Sequence, residues 1–391
     1  MKKLTSNLLF RVIVAIALGI ALGSFLPESI GRIFATFNSL FDQLLKFLIP
    51  LIIVGLIIPA IAKLGNTAGK LLLTTVAIAY GSTLFAGFST YFASLSIFPS
   101  LIDQHATTGI NSVDVASLAP YFEIAIPPFL DVMSALVLSF LVGIGLSRLE
   151  NSTLAKVMFD FEEIISFIIE KVIIPLLPLF IFGIFLDMTY SGKVLLILNV
   201  FIKIIGVIFA LHILLLLIQF VIAGAISRKN PIKLLGTMLP AYFTALGTQS
   251  SAATIPVTLA QVKKTGISED IANFVVPLCA TIHLAGSTLK IVACVIALML
   301  MQGMPIEFGP MAGFICMLGV TMVAAPGVPG GAIMAAIGII ASMLGFNTEN
   351  QALMISLYIA MDSFGTACNV TGDGAIAIVV DKLFSKKTTE V

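Results

Sequence analysis

Charge is what this sequence has least of. Acidic and basic side chains make up 10% of 391 residues and leave a net charge of +1, against about 25% charged residues in ordinary soluble domains. Lys and Arg sit in short clusters between apolar stretches, so no basic face for nucleic acid is present. Cysteine is also sparse: Cys279, Cys294, Cys316 and Cys368 lie inside apolar segments without metal-ligand spacing and read as small buried hydrophobes. The apolar run after the basic N-terminus, Met1 to Ser24, lacks a clear small-residue cleavage site and reads as a retained first helix rather than a signal peptide.

Apolar residues fill the space that charge leaves. They amount to 59% of the chain, mean hydropathy is +1.12, and stretches of about 20 apolar residues, the length that spans a bilayer core, recur along the sequence. An all-α membrane protein follows, with the bilayer as its solvent.

Predicted spans cover 8–26, 37–64, 70–97, 129–149, 160–188, 193–227, 270–301 and 348–384. Lys2, Lys3, Lys63, Lys70, Arg148, Lys156, Arg228, Lys229, Lys233, Lys263, Lys264, Lys382, Lys386 and Lys387 then fall on one side. By the positive-inside rule that side is the cytoplasm, with both termini. The longest opposite loop, about 99–127, has no Lys or Arg and carries Asp103, Asp114 and Glu123. Two regions, 231–262 and 304–345, satisfy this count only if each enters and leaves on its own side, the first from inside and the second from outside. Both are interrupted, at Gly247-Thr248-Gln249-Ser250-Ser251-Ala252-Ala253 and at Ala325-Pro326-Gly327-Val328-Pro329-Gly330-Gly331. Broken backbone at membrane depth is tolerated only in protein or along a cavity, so the two re-entrant tips should meet at a polar site, as in inverted-repeat secondary transporters.

The last span supplies such a site. Asp362, Thr366, Asn369 and Asp373 stand at i, i+4, i+7 and i+11, within about 60° of one helix face. A carboxylate at the bilayer centre costs at least about 2.5–3.5 kcal/mol, so two on one stripe imply cationic partners or water. A substrate ammonium and a coupling cation would both serve. A pure packing role for the stripe is the blander alternative. An acid–base enzyme pair is excluded, because about 16 Å of helix rise separates the two carboxylates.

With its serine-bearing first tip, its Gly327-Val328-Pro329-Gly330 second tip and Asn369-Val370-Thr371-Gly372-Asp373 in this order, nearly the whole chain resembles the dicarboxylate/amino acid:cation symporter family. The resemblance implies eight transmembrane helices plus two re-entrant hairpins and a homotrimer. In it, 1–69 and 98–192 form a scaffold, while 70–97 and 193–391 move as an elevator. It implies that Asp362 takes the substrate's α-ammonium, with Thr366 and Asn369 beside it. Ser251 with the tip backbone, and the amides around Val328, Pro329 and Gly330, are implied donors to its α-carboxylate, with Gln249 and Ser250 also among the implied substrate-binding residues. Asp373, Asn369 and the His283 carbonyl match a sodium site, and Tyr80 and Thr83 match another more loosely. No cofactor is implied.

Three departures from the family pattern follow. Gly365 stands where acidic-substrate members carry an arginine, and Gln249 at the family's other guanidinium position, so a second substrate carboxylate would find no forked partner. A neutral amino acid is therefore expected, with room at Gly365 for a larger side chain; an acidic amino acid or dicarboxylate is the alternative. The helix motif usually written Asn-Met-Asp-Gly-Thr reads His283-Leu284-Ala285-Gly286-Ser287, so Ala285 removes one sodium-binding carboxylate. Fewer sodium sites than usual, or proton coupling through His283, would result. Lys290, seven residues after His283 and on nearly the same face, is expected to replace a bound cation by pairing with a carboxylate of the last helix such as Asp373, unless it snorkels at an interface. His212 reads as a packing or lipid-interface residue and Asp187 as solvated. The function expected is cation-coupled transport across the cell membrane; a channel or a non-transporting amino acid sensor is the reading from another class.

Overall fold

The computed structural model describes residues 8–66, 70–102, 118–149, 151–192, 194–325 and 329–384, and among these every regular element is a helix. They run α1 Leu8–Gly23, α2 Glu28–Asn66, α3 Lys70–Leu101, α4 Val132–Leu146, α5 Thr153–Ile168, α6 Ile174–Tyr190 and α7 Val194–Ser227. The second half comprises α8 Pro231–Thr248, α9 Ser251–Lys264, α10 Glu269–Ile282, α11 Ala285–Met301, α12 Phe308–Val323, α13 Gly331–Leu344, α14 Thr348–Ala360 and α15 Asp362–Phe384. A five-residue π-turn, Ile169–Ile173, joins α5 to α6 without a stop.

Among the described residues, six helical stretches are long and apolar enough to cross a membrane: Glu28–Ala62, Lys70–Leu101, Thr153–Tyr190, Leu198–Ser227, Glu269–Met301 and Asp362–Phe384. Two of them differ from the rest in burial. Within the apolar windows of Glu269–Met301 and Asp362–Phe384, 94% of residues are shielded by protein, against 33% for Lys70–Leu101. Lipid-facing helices can be apolar all round, but helices shielded this fully can carry polar groups: the last carries the polar stripe, and Glu269–Met301 carries His283 and Lys290.

Packing separates the chain into two neighbourhoods. In the first, α1 lies along α6, and α2 along α4 and α5. In the second, α15 is wrapped by α7, α8, α10 and α11, while α3 packs along α11. The second neighbourhood holds the site.

Both predicted interruptions are present. Asn230 caps α8 and Ser250 caps α9 through side-chain oxygens, and Gln249 turns between them in the left-handed region at φ +54°. The second break follows α12; Pro326, Gly327 and Val328 lie outside the described residues, and Gly330 re-enters helix at φ +74°, a conformation glycine adopts without steric penalty.

Several expectations need correction. The spans 270–301 and 348–384 are not continuous: the first breaks at His283-Leu284, where His283 is extended (φ −106°, ψ 95°), and the second at Met361. The helix expected over 37–64 begins at Glu28, and that over 160–188 at Thr153, where Ser152 caps it. Cys316 is exposed, whereas the other three cysteines are buried as expected. Asp187 is not merely solvated; its Oδ1 accepts the Leu118 N–H at 2.7 Å and so anchors the loop before α4.

Candidate functional site

The break at Met361 makes Asp362 the first residue of α15. There the unpaired N–H groups and the positive end of the helix dipole favour a negative charge. Only 4% of Asp362 is exposed, and each carboxylate oxygen has a partner. Oδ1 lies 3.1 Å from the Lys290 ammonium, and Oδ2 accepts the Gly330 N–H at 2.8 Å. Next to it, Ser363 Oγ accepts from Gln249 Nε2 at 2.8 Å. The two hairpin tips thus bond to adjacent residues at the head of one helix. Ser251 and Thr366 are buried close by in sequence to these contacts, and Pro329 is half-buried. Val328 falls outside the described residues.

Lys290 pairs with a carboxylate of the last helix, but the partner is Asp362 and not Asp373. Its side chain is fully shielded, so it does not snorkel. The ammonium sits over the Tyr358 ring, 3.3 Å from its centroid. The same ammonium overturns the expected use of Gly365. A Cβ there would come 2.9 Å from Lys290 Nζ and 3.2 Å from its Cε, so the room left by the missing side chain holds the lysine head rather than a larger substrate.

Eleven residues further on, Asp373 Oδ1 accepts from His283 Nδ1 at 2.9 Å. The other ring nitrogen, Nε2, lies 3.1 Å from Ser82 Oγ, which accepts from Gln219 Nε2 at 3.0 Å. His283 and Lys290, expected on one face of one helix, therefore serve two different carboxylates from either side of a helix break. Tyr80 and Thr83, the loosely matched residues of α3, bond the carbonyls of Cys316 and Ala79. The α3 residue that reaches this group is Ser82.

Between the two carboxylates, Asn369 holds the break in place. Its Oδ1 accepts from Gly286 N (2.8 Å) and Ser287 N (3.3 Å), which caps α11, whose own preceding residue makes no side-chain cap. Its Nδ2 donates to Ser287 Oγ, as does the Tyr358 hydroxyl, both at 3.1 Å. Asn369→Ala will leave two buried amides without their acceptor and Ser287 Oγ with Tyr358 alone, at about 1–3 kcal/mol for each unsatisfied amide. A lower melting temperature in detergent and loss of transport are the expected results; an unchanged melt would contradict the capping role.

Sequence reading missed Tyr358, Ser363, Ser82, Gln219 and His212. Far from facing lipid, His212 is 2% exposed and donates from Nε2 to the Gly286 carbonyl at 2.9 Å. A signal existed for three of them: Tyr358 precedes Asp362 by four residues, and His212 and Gln219 are polar residues seven apart within the apolar run of α7 from Ile204 to Ile226.

As a whole, the site offers a carboxylate bonded by the second tip with the first tip on its neighbour Ser363, a second carboxylate bonded to histidine, and backbone N–H groups at broken helix ends. The profile of the sodium:dicarboxylate symporter family matches residues 8–383. The serine/threonine transporter SstT of Acinetobacter baumannii is 29% identical over 96% of both chains, and that of Acinetobacter baylyi 26% identical over 96% of this chain and 97% of its own. Human excitatory amino acid transporter 2 is 29% identical over 64% of this chain and 45% of its own.

Proposed function

The chain belongs to the sodium:dicarboxylate symporter family, and from that premise we propose that this cation-coupled amino acid symporter carries small neutral amino acids. The observation that carries the reading is the junction at the head of α15, where Gln249 of the first tip and Gly330 of the second bond Ser363 and Asp362. A cargo held there is enclosed from two sides, which is what alternating access to one central site requires.

Asp362 would take the cargo's ammonium, and N–H groups of the two tips its α-carboxylate. Glycine at position 365 supports a neutral cargo, since no guanidinium is available there for a second carboxylate. The full-length similarity to serine/threonine transporters makes serine and threonine the first candidates. On the ion side, Ala285 supplies no oxygen and Asp373 is already bonded by His283. Both points favour fewer sodium sites than the family usually has, or a proton on the His283–Asp373 pair.

The two packing neighbourhoods support a division into a scaffold of 1–69 and 98–192 and a moving part of 70–97 and 193–391. The contact of α3 with α11 joins the early helix to the later ones as that division needs. A trimeric assembly in the cell membrane with both termini cytoplasmic completes the proposal.

Thermal shifts over the twenty amino acids, with and without sodium, test it. Ligand at 100 times its dissociation constant adds about 2.7 kcal/mol. Serine, threonine or alanine should raise the melting temperature, and labelled serine should undergo counterflow in proteoliposomes. Stabilisation by aspartate or glutamate alone would overturn the neutral-cargo reading.

A further inference from the structure

Asp362 is satisfied on both oxygens by the chain itself, and one of its partners is a lysine ammonium, which competes with any amino acid for the same carboxylate. We propose that Lys290 is the carrier's built-in counter-ion: its ammonium neutralises Asp362 when the carrier returns without cargo, and yields that carboxylate to the substrate's ammonium when cargo binds. This rests on the reading of Asp362 as the amino-group site.

The first argument is charge balance. A carboxylate almost removed from water must have a positive partner nearby, and the amide of Gly330, a neutral dipole, does not supply one. Lys290 does, at 3.1 Å. With the ammonium on Oδ1 and the Gly330 N–H on Oδ2, both oxygens of Asp362 are satisfied without an imported cation. Replace the lysine with a neutral residue, and the Gly330 amide would be left bonding an unbalanced buried charge.

The second argument is exclusion. An amino acid bound through Asp362 brings its own ammonium to the carboxylate that Lys290 holds. The zwitterion adds no net charge, but two ammonium groups held against one carboxylate would repel each other at close range in a low-dielectric interior, where repulsion is weakly screened. Occupancy by one therefore opposes occupancy by the other.

The third argument is that the lysine head has a second partner. The space beside Gly365 admits that head, and its stem has rotatable bonds throughout. The Tyr358 ring, 3.3 Å away, attracts a cation through its π-face whether or not the carboxylate is engaged. A pair whose sole purpose was to fix α11 against α15 would not need that second resting surface.

The test separates the two halves of the transport cycle, using L-serine as the probe in proteoliposomes of purified protein. Exchange of labelled for unlabelled serine needs only the loaded carrier, whereas net uptake into empty vesicles also needs the unloaded return. For Lys290→Ala, the ratio of net uptake to exchange should fall about tenfold or more. Half-saturation for exchange should move to lower serine concentration by about threefold or more, because an internal competitor has been removed. Methylammonium inside the vesicles should restore net uptake in the variant and leave the wild type unaffected. Lys290→Gln, which keeps a hydrogen-bond donor without the charge, is read by the same ratio should the alanine variant not survive purification.

Equal losses of net uptake and exchange, no change in either, or no response to methylammonium would overturn the proposal. Failure of the wild-type protein to exchange any amino acid would be a different result, since it would remove the carrier reading on which the proposal stands.

Discussion

Asp362→Asn will leave a protein that no longer moves amino acids and melts well below the wild type. The substitution preserves shape, so Gly330 still finds an acceptor, but it strips the charge from beneath Lys290. Removing one partner of a buried ion pair typically destabilises by about 3–5 kcal/mol, because the survivor remains buried and unbalanced. The substrate's ammonium loses the same charge. Truncating a buried, hydrogen-bonded charge pair costs about 2–5 kcal/mol in binding, so affinity should fall by roughly 30-fold or more. The double variant Asp362→Asn/Lys290→Met discriminates the two effects. It removes both charges and should recover most of the melting temperature while recovering no transport. Normal exchange by Asp362→Asn alone would refute the assignment of the amino-group site.

The second large effect is expected at Gly365. A methyl group there meets only the flexible end of Lys290, so Gly365→Ala should be tolerated with a modest loss. Gly365→Arg is another matter. Its first carbon would already stand 2.9 Å from Lys290 Nζ, and its guanidinium would add a second positive charge beside the first. Juxtaposed like charges cost several kcal/mol, so transport of neutral amino acids should disappear. Combining Gly365→Arg with Lys290→Met removes both the clash and the extra charge. The pair of changes should restore folding and shift the preference toward aspartate and glutamate, since a planar fork now faces the cargo. Competition of labelled serine uptake by each amino acid measures this. A double variant no better than Gly365→Arg alone would show that Lys290 is not what fills the position.

These two positions also mark how far the amino-acid sequence could be read. The hairpins were legible because each carries its own breakers, a Gly-Thr-Gln-Ser turn at 247–250 and a Pro- and Gly-rich one at 326–331. The stripe from Asp362 to Asp373 was legible because helical periodicity alone puts its members on one face. The helix breaks at His283 and Met361 carry no such punctuation. One of them is sustained from elsewhere in the chain, by Asn369 accepting the amides of Gly286 and Ser287, and local sequence does not record a cap donated across 82 residues. The partner of Lys290 was hidden for a related reason. Periodicity says which way a residue faces on its own helix, but choosing between Asp362 and Asp373 requires the relative height of two helices, which depends on how each is broken.

The bonds that run from Asp373 through His283 and Ser82 to Gln219 tie α15, the end of α10, α3 and α7 together at one level. Those four segments enter the fold at widely separated points along the chain. Riveted in this way, they have little freedom to slide past one another, and a push on any of them is felt by all. In the proposed elevator, the cargo-bearing block would then travel as a single piston, with α3, despite its early place in the chain, carried along as part of the stroke.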